Sequence, residues 1–313
     1  MNDAGPVLVT GATGFAGVHL CRHLTRTATA PLHGTWLDGP APSLPGIHLH
    51  RCDVTKPREV DRIFGRIRPS RVFHLAAPSH VGESFARPIE SVQALTAGTA
   101  AVLGAASLLS RPPRVLLVSS AEVYAAGPDP AREDQPLDPD SPYGIGKLAA
   151  EAFARMAVRR GLPVVIVRPF AHLGPGQSDR FAASAFARRI AEAEAGLGPP
   201  LIEVGNLSAE RDVTDVRDTV RAYPIVLEQG KPGEVFNVAS GAAVRIGALL
   251  DVLRTLGRVH VKVRVDPSRF RPADAPRRVG DATKLRALGW EPTLPLETTL
   301  RDLLEGWRER VSA

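Results

Sequence analysis

Thr10-Gly11-Ala12-Thr13-Gly14-Phe15-Ala16-Gly17 follows the apolar run Val7-Leu8-Val9 and opens a stretch of helical periodicity, Phe15–Thr27. Glycines at 11, 14 and 17 allow a tight turn and a close backbone approach to a pyrophosphate. The N-terminus of the helix adds unpaired N–H groups and the positive end of its dipole. The spacing G-x-x-G-x-x-G, set between a strand and a helix, is a variant of the dinucleotide-binding fingerprint. Gly11, Thr13, Gly14, Phe15, Ala16 and Gly17 are therefore expected to cradle a dinucleotide.

Outward from this loop, short β-type runs alternate with helical patterns. Strands are expected at Val7–Thr10, Leu32–Leu37, His48–Cys52, Arg71–Leu75, Arg114–Ser119 and Val164–Arg168. Helices are expected at Phe15–Thr27, Val60–Ile67, Ile89–Leu109 and Tyr143–Arg160. This order predicts an α/β Rossmann fold, a doubly wound parallel sheet with ligands at the carboxyl ends of its strands. Beyond Pro175 the pattern loosens: a helix near Ser184–Ala195, a strand Leu201–Val204, and an alternating stretch Val259–Val265. Residues 1–174 are read as mainly the nucleotide-binding domain, and 175–313 as mainly a smaller α+β substrate lobe. A strand near Val235–Val238 is expected to return to the large sheet.

The end of the second strand reads Trp36-Leu37-Asp38-Gly39. Asp38 is placed to accept hydrogen bonds from both adenosine ribose hydroxyls, which favours NAD(H) over NADP(H). No arginine stands in that stretch to meet a 2′-phosphate; the next, Arg51, begins Arg51-Cys52-Asp53-Val54. Asp53 is expected to face the adenine amino group.

Val118-Ser119-Ser120-Ala121-Glu122-Val123-Tyr124 ends a buried strand with hydroxyls at its carboxyl end, and Tyr143-Gly-Ile-Gly-Lys147 follows. Residues four apart on a helix share a face. An ammonium beside a phenol favours the phenolate, so Lys147 is expected to lower the Tyr143 pKa toward neutrality for proton transfer.

Ser120, Tyr143 and Lys147 together resemble the Ser-Tyr-Lys set of the extended short-chain dehydrogenase/reductases, the NAD-dependent epimerase/dehydratase family. The resemblance spans roughly Val7 to Arg310. It selects Ser120, four residues before Tyr124, over Ser119. It implies that Ser120 binds the substrate oxygen, that Tyr143 moves the proton, and that Lys147 holds the nicotinamide ribose. Leu75-Ala76-Ala77 matches the family's cofactor wall, and Val54 and Phe170 are implied cofactor contacts.

Further blocks resemble the sugar-nucleotide branch. They are Arg168-Pro169-Phe170-Ala171-His172-Leu173-Gly174-Pro175-Gly176-Gln177, Ser184–Ala191, Val204–Asp218, Gly233–Gly241 and Arg271-Pro272-Ala273-Asp274. They look most like reductases of GDP-4-keto-6-deoxy-D-mannose, with GDP-mannose 4,6-dehydratases as near relatives. The resemblance implies that Arg188, Arg211 and Arg271 hold a substrate diphosphate and ribose. Asn206 and Asp274 would contact the nucleoside end.

Two positions depart from the pattern. Ala171 stands where the family usually has asparagine near the sugar diphosphate, and Leu95 where Asn or Asp is common. A lost asparagine removes a hydrogen bond of about 1 kcal/mol, which bears on which sugar or base is taken. His80, just past the fourth strand, is placed to touch the sugar. Glu122 matches the offset of a dehydratase base, but the reductases often carry it too.

The reading is a 4-ketoreductase of a nucleotide-linked 4-keto-6-deoxyhexose using NAD(P)H, with NADH favoured. Alternatives are a dTDP-linked 4-ketoreductase, a 4,6-dehydratase or epimerase, and a cofactor-binding regulator without chemistry. Intact Ser120, Tyr143 and Lys147 argue against the last.

Composition is that of an ordinary soluble globular protein: 313 residues, 44% hydrophobic, 23% charged, net charge +6. Arginine supplies 34 of the 39 basic residues, and its planar fork suits phosphate oxygens. No block of like charge suggests a nucleic-acid arm. Two cysteines, Cys21 and Cys52, are too few for a disulfide framework. With an apolar strand starting at Val7 and no convincing membrane span, a cytoplasmic location is expected. His48, His50 and Cys52 share a strand face, but packing explains them better than a metal. The stretch Val92–Leu109 reads as a buried helix at a homodimer contact.

Overall fold

The computed structural model describes residues 5–40, 42–125, 127, 130–270 and 275–312. Its elements run β1 (Val7–Thr10), α1 (Phe15–Thr27), β2 (Leu32–Trp36), β3 (His48–Arg51), α2 (Pro57–Ile67), β4 (Arg71–His74), α3 (Val81–Ala86), α4 (Pro88–Ser107) and β5 (Arg114–Val118). A 3-10 turn at Ala121–Val123 leads to α5 (Pro142–Arg159), β6 (Val164–Pro169), β7 (Ala171–Leu173), α6 (Ala182–Glu194), β8 (Leu201–Val204), β9 (Glu210–Asp215), α7 (Val216–Gln229) and β10 (Val235–Val238). The chain ends with β11 (Ala243–Arg245), α8 (Ile246–Leu256), β12 (Lys262–Val265), a 3-10 turn at Pro267–Arg269, β13 (Arg277–Arg278), α9 (Thr283–Arg286) and α10 (Leu296–Ser312).

Seven strands form one parallel sheet in the order β10-β6-β5-β4-β1-β2-β3. The order reverses at β1, and at that switch point two crossovers leave a crevice at the carboxyl ends of β1 and β4. β1 and β6 are buried along their whole length, as parallel strands covered on both faces must be. One core layer packs β-sheet residues such as Leu116 and Val167 against Leu20 of α1 and Tyr223 and Leu227 of α7. The other packs Leu8 and Leu117 against Phe64 of α2, Val102 of α4 and Ala154 of α5.

A third core joins α6, α8 and α10 through Phe186, Ile190, Leu253 and Leu303. Beside it lie β8 paired with β12, and β9 flanked by β7, β11 and β13. β12 begins at Lys262 rather than Val259, because only Lys262–Val265 finds β8 as a ladder partner. No helix among the described residues is long and apolar enough to cross a membrane.

Candidate active site

Gly11 sits at φ +70, where a side chain would strain the backbone, and an added Cβ would lie 2.8 Å from Ala76 Cα. The loop therefore presses directly on the segment after β4. No side chain caps α1 at Gly14, so its first-turn N–H groups are left for a ligand. These features fit a bound dinucleotide: an uncapped helix N-terminus in a glycine cradle at the sheet's switch point.

Thr10 Oγ1 accepts from the Ala76 amide (3.3 Å) and meets His74 Nδ1 at 2.7 Å. His74 Nε2 reaches Thr99 Oγ1 at 3.2 Å. Burial, with Lys147 nearby, pushes the His74 pKa down to about 3. The imidazole is thus neutral and fixes the Thr10 hydroxyl that holds the Ala76 amide.

The adenosine end differs from the sequence expectation. The β2–β3 register sets Trp36 against Arg51, and Arg51 Nη2 comes within 3.8 Å of Asp38 Oδ1. An arginine does stand at this position, brought there by strand pairing. Asp38 is exposed, with one oxygen accepting from the Gly39 amide at 3.3 Å. Asp53 Oδ1 is already taken by Thr55 N (3.0 Å) and Thr55 Oγ1 (2.7 Å), which makes it a turn-former whose pKa lies below the usual carboxylate value. Half-buried Val54 backs onto α4 at Gly98.

Tyr143 and Lys147 lie one turn apart on the buried face of α5, with the Lys147 ammonium 5.8 Å from the Tyr143 ring centre. Ser141 caps this helix, accepting from the Gly144 amide at 3.1 Å. Gly144 is required there, because a Cβ would collide with the Glu122 carbonyl oxygen. That contact sets the turn carrying Ser120 against the first turn of α5, with the Ser120 hydroxyl close enough to the Tyr143 phenol to lower its pKa.

The expected lowering of the phenol pKa by Lys147 is not found. Burial raises Tyr143 above its ordinary value, the nearby Ser120 hydroxyl offsets part of this, and the Glu122 charge adds to the rise. The ammonium instead donates to the Val118 carbonyl at 2.8 Å. Burial lowers the Lys147 pKa to about 8, against a raising influence from Glu151.

Ser119 and Ser120 point to different surroundings. Ser119 Oγ donates to Glu151 Oε1 at 2.6 Å, inside a buried network that sequence reading missed. Arg168 grips Glu151 with Nε (2.8 Å) and Nη2 (2.7 Å), and its Nη1 donates to the Tyr124 hydroxyl (2.8 Å). Tyr124 in turn donates to Asn237 Oδ1 at 2.7 Å. The only sequence signal was a glutamate four residues past Lys147 on the same helical face.

Glu122 is a quarter exposed, and its Oε2 lies 3.4 Å from Nη2 of Arg278 on β13. Phe170 is buried and stacks on Tyr124, with ring centres 6.2 Å apart. Ala171 is exposed at the start of β7. Leu95 is buried and packs against Gly146 of the Tyr143–Lys147 turn, where it offers no hydrogen bond. Next to the glycine loop, Phe15 and His172 stack in near-parallel planes at 5.9 Å, a contact between the two halves of the chain.

The substrate-side candidates are more constrained than expected. His80 caps α3, its Nδ1 accepting from the Glu83 amide (2.9 Å), while Nε2 donates to the Arg180 carbonyl (3.1 Å). Both ring nitrogens are thus engaged in closing α3 against the second lobe. Arg188 is paired with Asp179 and with Glu192, and lines a cavity of about 480 Å³ with Glu203 and Arg264. Asn206 Oδ1 accepts from Ser208 N (2.9 Å) and Oγ (2.7 Å) and shapes its own turn. Arg211 donates to the carbonyls of Glu210 and Ala275, each at 2.8 Å. Arg271 and Asp274 lie outside the described residues. His33, His48 and His50 on β2 and the edge strand β3 lie ring against ring, His48 exposed and the others half-buried, with His33 Nδ1 and His50 Nε2 3.0 Å apart.

Residues 8–303 match the family model described as GDP-mannose 4,6 dehydratase. The chain is 34% identical over 310 residues to GDP-6-deoxy-D-mannose reductase of Pseudomonas aeruginosa, covering 97% of this chain and 98% of that one. Among solved structures it resembles RMD from Pseudomonas aeruginosa complexed with NADPH (TM-score 0.85, 32% identity, 98% and 99% of the two chains). It also resembles UDP-glucose 4-epimerase of Thermus thermophilus in complex with NAD (TM-score 0.86, 25% identity, 97% and 99%).

Proposed function

Because the chain belongs to the GDP-mannose 4,6-dehydratase family, we propose that it reduces the C4 keto group of a nucleotide-linked 4-keto-6-deoxyhexose, with GDP-4-keto-6-deoxy-D-mannose as substrate and GDP-D-rhamnose as product. The observation that carries this reading is the burial of Ser120, Tyr143 and Lys147 together, with Lys147 bonded to Val118 at the carboxyl end of β5. The similarity to a GDP-6-deoxy-D-mannose reductase along nearly the whole chain supports the choice of substrate.

A reduced nicotinamide, when bound, supplies the hydride. Gly11, Gly14, Phe15, Ala16 and Gly17 would hold its pyrophosphate, Leu75, Ala76, Ala77 and Phe170 would wall it, and Lys147 would reach its ribose. In this reading Ser120 Oγ donates to the C4 oxygen of the sugar, and Tyr143 Oη delivers the proton as that oxygen becomes an alcohol. A phenol kept protonated by burial suits this direction, since reduction needs a proton donor. Dehydration starts instead with oxidation at C4 and would need the phenolate. Glu122 supports dehydration as a second reading, but its pairing with Arg278 offsets its use as a base toward carbon.

Both coenzymes fit the adenosine end: Asp38 can accept from a 2′-hydroxyl and Arg51 can meet a 2′-phosphate. We assign NADH as the favoured cofactor on Asp38, with NADPH accepted through Arg51. The exposed side chains of Phe85, Ile89 and Ile145 lie on α3, α4 and α5, and an apolar surface there supports a homodimer built on α4 and α5. Two free, buried thiols agree with a cytoplasmic setting. Incubation with GDP-4-keto-6-deoxy-D-mannose and either coenzyme, followed by loss of nicotinamide absorbance and mass analysis of the sugar product, tests the assignment.

A further inference from the structure

Arg278 is only 7% exposed, yet it comes from β13, far along the chain from the catalytic turn it meets. Its Nη1 donates to two carbonyls of that turn, Ala121 O at 3.0 Å and Tyr124 O at 2.9 Å. Its Nη2 lies 3.4 Å from Glu122 Oε2 and 3.7 Å from Asp140 Oδ2. One guanidinium thus joins two separate segments. The first is the 3-10 turn that Ser120 caps by accepting from the Glu122 amide at 3.2 Å. The second is the approach to α5, where Asp140 precedes the helix-capping Ser141 and then Tyr143.

The strap that carries Arg278 is fixed in its turn. Gly280 N donates to Asp212 Oδ2 at 3.2 Å, and Ala131 N to the Val279 carbonyl at 2.8 Å. β13 also pairs with β9, setting Arg278 against Arg211. A planar fork can satisfy two carbonyls and two carboxylates together, which a single ammonium cannot.

We infer that Arg278 is a positioning residue. It holds Ser120 and Tyr143 in register for proton delivery and fixes Glu122 as a spectator anion, and it ties this alignment to the β9–β13 ladder of the second lobe. The inference rests on the reading that Ser120 and Tyr143 serve ketone reduction.

The test compares wild type, Arg278→Met, Arg278→Lys, Arg277→Met and Tyr143→Phe on a 4-keto-6-deoxyhexose nucleotide with NADPH. Misalignment of reacting groups by about 1 Å lowers turnover by roughly a hundredfold. Arg278→Met should therefore lose roughly tenfold to a hundredfold in kcat, with KM and coenzyme affinity within about threefold. Arg278→Lys should recover part of that loss, since an ammonium can meet the carboxylates but not both carbonyls. Arg277→Met, on the same strand but paired with Glu210, should stay near wild type.

A kcat for Arg278→Met within threefold of wild type would overturn the inference. So would an equal loss in Arg277→Met, or a loss in KM and coenzyme binding alone. If Arg278→Met does not fold, Arg278→Lys decides: unchanged kcat overturns the inference and a selective fall in kcat sustains it. Failure of wild type itself to reduce the ketone, or full turnover by Tyr143→Phe, would instead remove the reductase reading beneath it.

Discussion

Arg168 grips Glu151 through two hydrogen bonds, 2.8 and 2.7 Å long, directly below the helical face that carries Tyr143 and Lys147. Neither side chain is more than 1% exposed. A charge stripped of its partner in such a place is costly, so Glu151→Ala should destabilise the fold by about 3–5 kcal/mol. Urea denaturation measures this directly. A loss below 1 kcal/mol would mean that the Tyr124 hydroxyl, the Glu133 carbonyl and entering water already satisfy Arg168.

The two adjacent serines should separate cleanly. Ser120→Ala removes the proposed donor to the substrate oxygen and should lower kcat by roughly a hundredfold, the scale of one lost transition-state donor. Ser119→Ala breaks a buried hydrogen bond to Glu151 and should cost about 1–3 kcal/mol of stability, with kcat nearly intact. Paired kinetic and denaturation measurements read both. A reversal of the two phenotypes would move the catalytic hydroxyl to Ser119.

Lys147 gives a pH dependence with a defined sign. Its folded pKa, about 8, lies below its ordinary value of 10.5. The unfolded chain therefore binds more protons between these values, and stability rises with pH across that window. Below pH 8 the buried ammonium is a standing destabilisation. Coenzyme binding runs the other way: in the proposed role the charged form holds the ribose, so affinity of the free enzyme should fall as pH rises through about 8. Fluorescence titration of coenzyme at several pH values checks this, and Lys147→Arg should flatten the dependence. An affinity constant from pH 7 to 9 would show that Lys147 does not carry the ribose contact.

The proposed coenzyme choice rests on Asp38 and Arg51. Arg51→Ala should raise KM for NADPH several-fold more than KM for NADH. Asp38→Asn should do the reverse, easing the 2′-phosphate by removing a like charge. Equal effects on both coenzymes would place the adenosine ribose elsewhere.

Much of the sheet was legible in the sequence because the signals are local. Val7–Thr10, the glycine loop and Phe15–Thr27 are contiguous, and strand runs of four to six residues stand between amphipathic helices. What stayed hidden depends on segments that meet only after folding. Arg51 reaches Asp38 through strand register, Arg278 reaches Glu122 from a distant strand, and Tyr124, Glu151, Arg168 and Asn237 close one network from four elements. The phenol pKa was misjudged for the same reason. Helical spacing placed Lys147 near Tyr143 but said nothing of burial, which dominates. Arg188 and Asn206 came from the resemblance and His80 from its place past the fourth strand; that their polar atoms also serve Asp179, Ser208 and the α3 N-terminus was not legible in the sequence.

The most direct test of the central claim is a two-substrate comparison with the purified protein. Supplied with GDP-4-keto-6-deoxy-D-mannose and NADPH or NADH, wild type should oxidise coenzyme in step with formation of a GDP-6-deoxyhexose, and Tyr143→Phe should bind coenzyme normally while turning over slower by orders of magnitude. Supplied with GDP-mannose alone, it should leave the sugar unchanged. Loss of water from GDP-mannose without net use of added coenzyme, together with no reduction of the keto sugar, would contradict the account.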